Sequence, residues 1–380
     1  MKSNLRRKAI ILIVAGIFVA FSILNNNNLN FNRGNREDSN LDNKNLKISA
    51  VSAKIHIDNN WTVAKAAGIL TGNGAYSDPY VIENLVIDAG GSGSGILIEN
   101  SDVYFRIENC TVNNSGNESD FEAGIALSNV SNGALINNNV SNNNAGIAIG
   151  FSNNNMISRN DAINNSFGII ITFSNSTNIS ENTASYNNFG SGIFLMFSNS
   201  NVVSHNTAHN NSQDGITLDE GNRNLIIWNT ITQNKESGID LVWDSNFNEI
   251  TQNAVNNSGE YGIYIHETST ENKVYLNCFN NTHNAYDDGS NNNWDNGIKG
   301  NFWSDYLGSD VDGDGIGNVL YDIPGSAGSQ DNYPMMKCSI PFLTRVVFLT
   351  WGSIPGYNLF FLLGILSVVV IILSKKVKKS

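Results

Sequence analysis

Ala145-Gly-Ile-Ala-Ile-Gly150, Phe167-Gly-Ile-Ile-Ile-Thr172 and Ser191-Gly-Ile-Phe-Leu-Met196 are the stretches that decide the fold. Each places aliphatic residues one and three positions after a glycine: Ile147 and Ile149, Ile169 and Ile171, Ile193 and Leu195. A period of two is a strand with one face buried. Outward from there the Gly-Ile dipeptide recurs at Gly95, Gly124, Gly146, Gly168, Gly192, Gly215, Gly238 and Gly262. After a first step of 29 residues the spacing is 22 to 24. A second pattern keeps the same step, with Asn138, Asn160, Asn182, Asn206, Asn229, Asn253 and Asn277 in one slot and Cys110 in the equivalent slot of the first full repeat. Two registers sharing one period specify a repeat architecture.

Strands this short, separated by Asn, Ser and Gly, leave no room for helices between them. About 22 residues at ~3.3 Å each make one coil of three short strands and their corners. Coils stacked at ~4.8 Å give an all-β parallel β-helix. A helical solenoid, with ~34–47 residues per unit, fails on period and on Gly and Asn density. The 66 asparagines then have a cause, since Asn bends sharply at corners and its amide can bridge successive coils. None of the five prolines falls between residues 80 and 323, because each coil needs its backbone N–H groups for the next.

Residues 25–340 hold 13 basic and all 34 acidic side chains. A surface that acidic repels phosphate backbones, so nucleic acid is not an expected partner. Cys110 and Cys278 lie about seven coils apart, some ~30 Å, and cannot bridge. With Cys338 placed near the membrane, the three thiols read as buried or lone.

Residues 1–24 pair a basic start with a short apolar run, as a signal peptide or an N-terminal membrane segment does, the short run suiting the signal better. Residues 358–374, apolar from Leu359 to Leu373, lead into the basic tail 375–380, which reads as a transmembrane helix with a cytoplasmic tail. Ile354-Pro-Gly-Tyr before that run resembles a C-terminal sorting signal of archaeal surface proteins. Between the ends the chain divides into a disordered Asn-rich linker (25–47), an N-terminal cap (48–80), the coils (81–280), a closing module (281–336) and a juxtamembrane stretch (337–357). This order puts the coils outside the cell, anchored to its membrane.

Residues 66–336 resemble the right-handed parallel β-helix family named for NosD, the nitrous-oxide-reductase maturation protein, and for carbohydrate-binding and sugar-hydrolase domains. The resemblance is carried by Gly72-Asn-Gly-Ala-Tyr-Ser-Asp-Pro-Tyr-Val-Ile-Glu83, the Gly-Ile repeats, Gly300-Asn-Phe-Trp-Ser-Asp-Tyr306 and Asp331-Asn-Tyr-Pro334. It implies the right-handed sense of the coil and an archaeal surface protein of open ligand. The family name suggests copper. However, His56, His205, His209, His266 and His283 are scattered and no Cys-x-x-Cys is present, so copper is not expected.

Asp310-Val-Asp312-Gly-Asp314-Gly-Ile316 has the alternating acids and glycines of a calcium loop. The Ile316 carbonyl falls at the seventh position, and Asp322, next to the twelfth, is the expected substitute for the missing glutamate. The competing reading is a hydrogen-bonded Asp turn. Counted from each Gly-Ile, a second group gathers on three successive coils: Asp219 and Glu220, then Asp240, Trp243 and Asp244, then Tyr264, His266 and Glu267. Paired carboxylates are the machinery of polysaccharide hydrolysis, and Trp243, Tyr264 and His266 could hold a sugar. The plainer and favoured reading makes these residues outward corners of an acidic protein. Phe151, Phe173 and Phe197, with Trp243 in the same slot, read as a structural aromatic stack. The sequence thus points to a surface module that binds glycan or serves as scaffold. A polysaccharide hydrolase or lyase acting through residues 219–267 is the alternative.

Overall fold

The computed structural model describes residues 50–116, 122–338 and 340. The expected signal, linker, transmembrane helix and basic tail lie outside these residues. Among the described residues no helix is long and apolar enough to cross a membrane.

The chain winds into three parallel sheets of eleven, ten and nine strands, and each complete coil contributes one strand to each sheet. Ile147, Ile169, Ile193, Ile216, Ile239 and Ile263 pair in unbroken register along the ten-stranded sheet. Each is fully buried, in a core that runs the length of the stack. The Gly-Ile glycines line up beneath them. A Cβ on Gly168 would sit 2.2 Å from the carbonyl oxygen of Gly192 on the next coil, so no larger residue fits at that rung. Ala50–Ser52 and Ile55–Asp58, expected in the cap, already supply the first strands of two sheets. Ala285–Asp287 and Phe302–Trp303, from the closing module, supply the last strands of the same two sheets.

The asparagine slot forms a hydrogen-bonded ladder. From Asn138 to Asn301, each side-chain Nδ2 donates to Oδ1 of the next Asn at 2.9–3.0 Å. Two further ladders, not singled out in the sequence, run through Asn143, Asn165, Asn187, Asn211 and Asn234, and through Asn201, Asn224, Asn248, Asn272 and Asn292. The left-handed corners are a separate device. One set falls on the residue just before each first-ladder member from Asn138 to Asn277: Asn137, Arg159, Glu181, His205, Trp228, Gln252 and Leu276. Ladder amides and corner conformation are therefore split between neighbouring positions. Once the stacked coils fix the backbone, the corner accepts almost any outward side chain, at a cost of about 1–2 kcal/mol each.

Along each ladder a rung donates to the Oδ1 of the next Asn toward the C-terminal end while Nδ2 also reaches a carbonyl of the preceding coil, and two of the ladders stop on an aspartate. The backbone N–H of Asn301 and the indole N–H of Trp303 donate to Asp331 Oδ2 at 2.7 and 2.9 Å. Asn292 Nδ2 and the Trp294 indole N–H donate to the two oxygens of Asp287, both at 2.9 Å. The remaining ladder is interrupted at Ser258, whose buried hydroxyl has no partner. Beyond it the Ser258 and Asn281 N–H groups donate to Asn281 and Asn284 Oδ1, Asn284 Nδ2 donates to Asp305 at 2.7 Å, and the Tyr321 hydroxyl donates to the same carboxylate. Donors at the end of a stack have no further rung to meet, and a carboxyl oxygen that also accepts an aromatic N–H or O–H closes it.

The reading of lone thiols is corrected: Cys278 and Cys338 form a disulfide, with Cα atoms 5.4 Å apart. Cys278 is too distant in the stack to meet Cys110, but the chain does not leave the stack after the closing module. Instead it turns back, where Met335 N–H donates to the Asn301 carbonyl, and this return brings Cys338 to Cys278. Phe151, Phe173 and Phe197 stack at 4.9 and 4.7 Å, nearly parallel, at left-handed corners on the outside of the coil. Their faces cover one another and leave edges to solvent, so the column braces the corner.

Candidate functional site

The outer face of the ten-stranded sheet carries the site. Alternation turns Ile239 and Leu241 inward and Asp240 outward, and the register lines up Phe194, Thr217, Asp240, Tyr264 and Tyr286 on successive coils. Leu97, Ala126, Ala148 and Ile170 hold the same position nearer the N-terminus. The column thus changes from apolar to polar and aromatic at Thr217.

Asp240 is only 1% exposed although it lies on the outer face, so it is no outward corner. Asp219, in the preceding coil, and Asp214 are also buried. Thr217 Oγ1 donates to Asp214 Oδ2 at 3.0 Å and lies 2.8 Å from Ser191 Oγ. His266 Nε2 sits 2.9 Å from Asp240 Oδ1. The Tyr264 ring stacks on the His266 ring at 3.9 Å, and its hydroxyl reaches Asp288 Oδ2 at 3.4 Å. Tyr261 and Tyr286 complete the cluster, 5.1 Å from each other and each 5.4 Å from Tyr264, with His283 5.7 Å from Tyr261.

The field here is negative. Burial, then Asp288 and Asp240, push the Tyr264 hydroxyl well above the usual tyrosine range. Burial, then Tyr286, Glu260 and Asp288, push Tyr261 the same way. Burial, then Asp244, raise the Glu220 carboxyl.

Of the residues singled out in the sequence, Asp240, Tyr264 and His266 are in direct contact. Glu220 and Asp244 sense one another across neighbouring coils. Trp243 is half-buried at a left-handed corner beside the site, and Asp244 and Glu267 are exposed. Asp214, Tyr261, Tyr286 and Asp288 were missed. Tyr286 follows Ala285, in a coil without the Gly-Ile mark, so the dipeptide count stops before it. Strand alternation continued one coil further would have found it.

The loop at residue 310 brings carboxylate oxygens of Asp310, Asp312 and Asp314 within 4.8 Å of one another, the only such group of His, Cys, Asp or Glu among the described residues. Asp310 accepts backbone N–H groups from Gly313, Asp314 and Gly315. Desolvation acts the other way, yet these N–H groups and Asp312 hold its carboxyl below the usual range. The Ile316 N–H donates to Asp314. Asp322 stands apart from the three, accepting from Gln330 Nε2 at 2.8 Å in a short hairpin. The set is of hard oxygen donors, which suits calcium.

Soft donors are dispersed. His56 is paired with Glu99, His205 packs on Trp228, His209 on Tyr186 and His283 near Tyr261, while two of the three cysteines are oxidised. The residues present do not fit a copper centre.

No curated protein matches the sequence. Among solved structures, the periplasmic alginate epimerase AlgG is 18% identical over 62% of this chain and 72% of its own, with a TM-score of 0.44. The A-module of mannuronan C-5 epimerase AlgE6 from Azotobacter vinelandii is 17% identical over 56% and 62%, with a TM-score of 0.47. The Dettilon tailspike protein is 14% identical over 67% and 58%, with a TM-score of 0.43. The model of the family described as periplasmic copper-binding protein (NosD) matches residues 113–308. That match takes in more than half of the chain and most of its coils, and the chain therefore belongs to the NosD family of parallel β-helix proteins.

Proposed function

We propose that the protein is an exported β-helix module, held at the cell surface by its C-terminal apolar run, that binds glycan on the outer face of its ten-stranded sheet. The observation that carries this reading is the half-buried cluster of Tyr261, Tyr264, Tyr286 and His266 beside Asp240 and Asp288. Aromatic rings offer flat apolar surface to a sugar ring, and fixed carboxylates accept its hydroxyls. The test is a panel of immobilised oligosaccharides. Wild-type protein retains at least one member, and Tyr264→Ala weakens that binding about tenfold, a loss of ~1.4 kcal/mol. Retention of nothing across a broad panel sinks the reading.

The contact of His266 with Asp240 favours a second reading, cleavage of the bound polymer, because an imidazole oriented by a carboxylate can carry a proton. Release of reducing ends or unsaturated products, abolished in Asp240→Ala, supports it; intact polymer leaves binding alone.

Copper, which the family's description names, enters neither reading, since the donors do not fit it. Calcium at Asp310, Asp312 and Asp314, with the Ile316 carbonyl, is a further proposal. Isothermal calorimetry should register Ca²⁺ uptake that Asp312→Ala with Asp314→Ala abolishes. Silence at millimolar calcium discards the site.

A further inference from the structure

We propose that the site formed by Asp240, Tyr261, Tyr264, His266, Tyr286 and Asp288 selects glycans bearing free, protonated amino groups. The inference rests on the glycan-binding reading and adds to it the charge of the sugar. Three tyrosines within 5.1–5.4 Å of one another hold carboxylates at their margin, with Asp288 reached by the Tyr264 hydroxyl and Asp240 by the His266 ring. The negative face of an aromatic ring and a fixed carboxylate both attract an ammonium group, and partial desolvation strengthens the attraction. Neutral hydroxyls gain only the hydrogen bond.

The surroundings argue the same way. Asp288 Oδ1 is taken by the N–H and hydroxyl of Ser326, while Oδ2 faces the tyrosine side. Arg223, close in sequence, lies over the Phe247 ring, and Lys273 belongs to the nine-stranded sheet. Asp240, Glu260 and Asp288 lie close enough to act on the Tyr261 and Tyr264 hydroxyls, so an arriving anion meets the field of these carboxylates. Uronate or sulfate polymers are therefore repelled, and an amine-bearing polymer is drawn in.

The experiment compares four probes on the full chain at low salt: a glucosamine oligosaccharide, the matching N-acetylglucosamine oligosaccharide, an oligouronate and spermidine. The glucosamine oligosaccharide should bind at least tenfold tighter than its N-acetylated form, with the difference shrinking at high salt. Asp288→Asn, at a half-buried position, should remove most of that preference while leaving the circular dichroism spectrum unchanged; Asp240→Asn serves as a second variant. Equal affinity for the acetylated and free-amine sugars overturns the charge selection and leaves glycan binding standing. Preference for the uronate overturns it as well. Spermidine bound with no sugar bound overturns both the selection and the glycan reading beneath it.

Discussion

Asn206→Ala should lower unfolding stability by about 3–6 kcal/mol, far beyond the ordinary effect of an asparagine substitution. Asn206 sits in mid-ladder, almost fully buried. Its Nδ2 donates to the Ile179 carbonyl and to Asn229, and its Oδ1 accepts both the backbone N–H and the Nδ2 of Asn182. Alanine removes all four bonds: it strands the buried backbone N–H and Nδ2 of Asn182 and takes a donor from the Ile179 carbonyl and from Asn229 Oδ1, at about 1–3 kcal/mol for each group left unpaired. Asn188→Ala, at an exposed position, is the control and should stay within about 0.5 kcal/mol of wild type. Urea titration followed by circular dichroism reads both, and native-state hydrogen exchange should show the coils around residue 206 opening first. A loss below 1 kcal/mol would mean the ladder is not what holds the coils in register.

Asp331→Ala should cost about 3–5 kcal/mol and act at the far end of the stack. The backbone N–H groups of Asn301 and Tyr333 and the Trp303 indole all lose their acceptor. Exchange protection should fall over the last strands, Cys278–Asn280 and Phe302–Trp303, before the central coils respond. The effect should depend on pH. Burial is the largest influence on Asp331 and raises its pKa from 3.8 to about 6, although three N–H donors oppose the rise. The folded state thus holds the proton more tightly than the unfolded chain. The stabilisation is complete below pH 3.8 and is lost as pH rises through 6, by up to ~3 kcal/mol for a shift of this size. Wild type minus variant stability, measured from pH 4 to 7, should therefore shrink as pH increases; a difference that grows would show that the ionised carboxylate is the favoured form.

What can be read from the residues alone is whatever repeats. The Gly-Ile column, the strand alternation and the first asparagine ladder each recur at one step, and stacking rewards like residues over like. The same counting put Asp219, Asp240 and Tyr264 at related positions. The Asp310 loop was legible as well, because its chemistry lies within a few consecutive residues. Burial of Asp240 was not: alternation says which way a side chain points, while its exposure depends on the rings gathered around it. Tyr286 and Asp288 escaped because their coil lacks the glycine mark. The aspartates that end the ladders and the Cys278–Cys338 bond escaped for a deeper reason. A periodic pattern records contacts between neighbouring coils, whereas closing the stack depends on where a non-repeating segment folds back, and that is decided only when residues 285–338 meet the last rung in three dimensions.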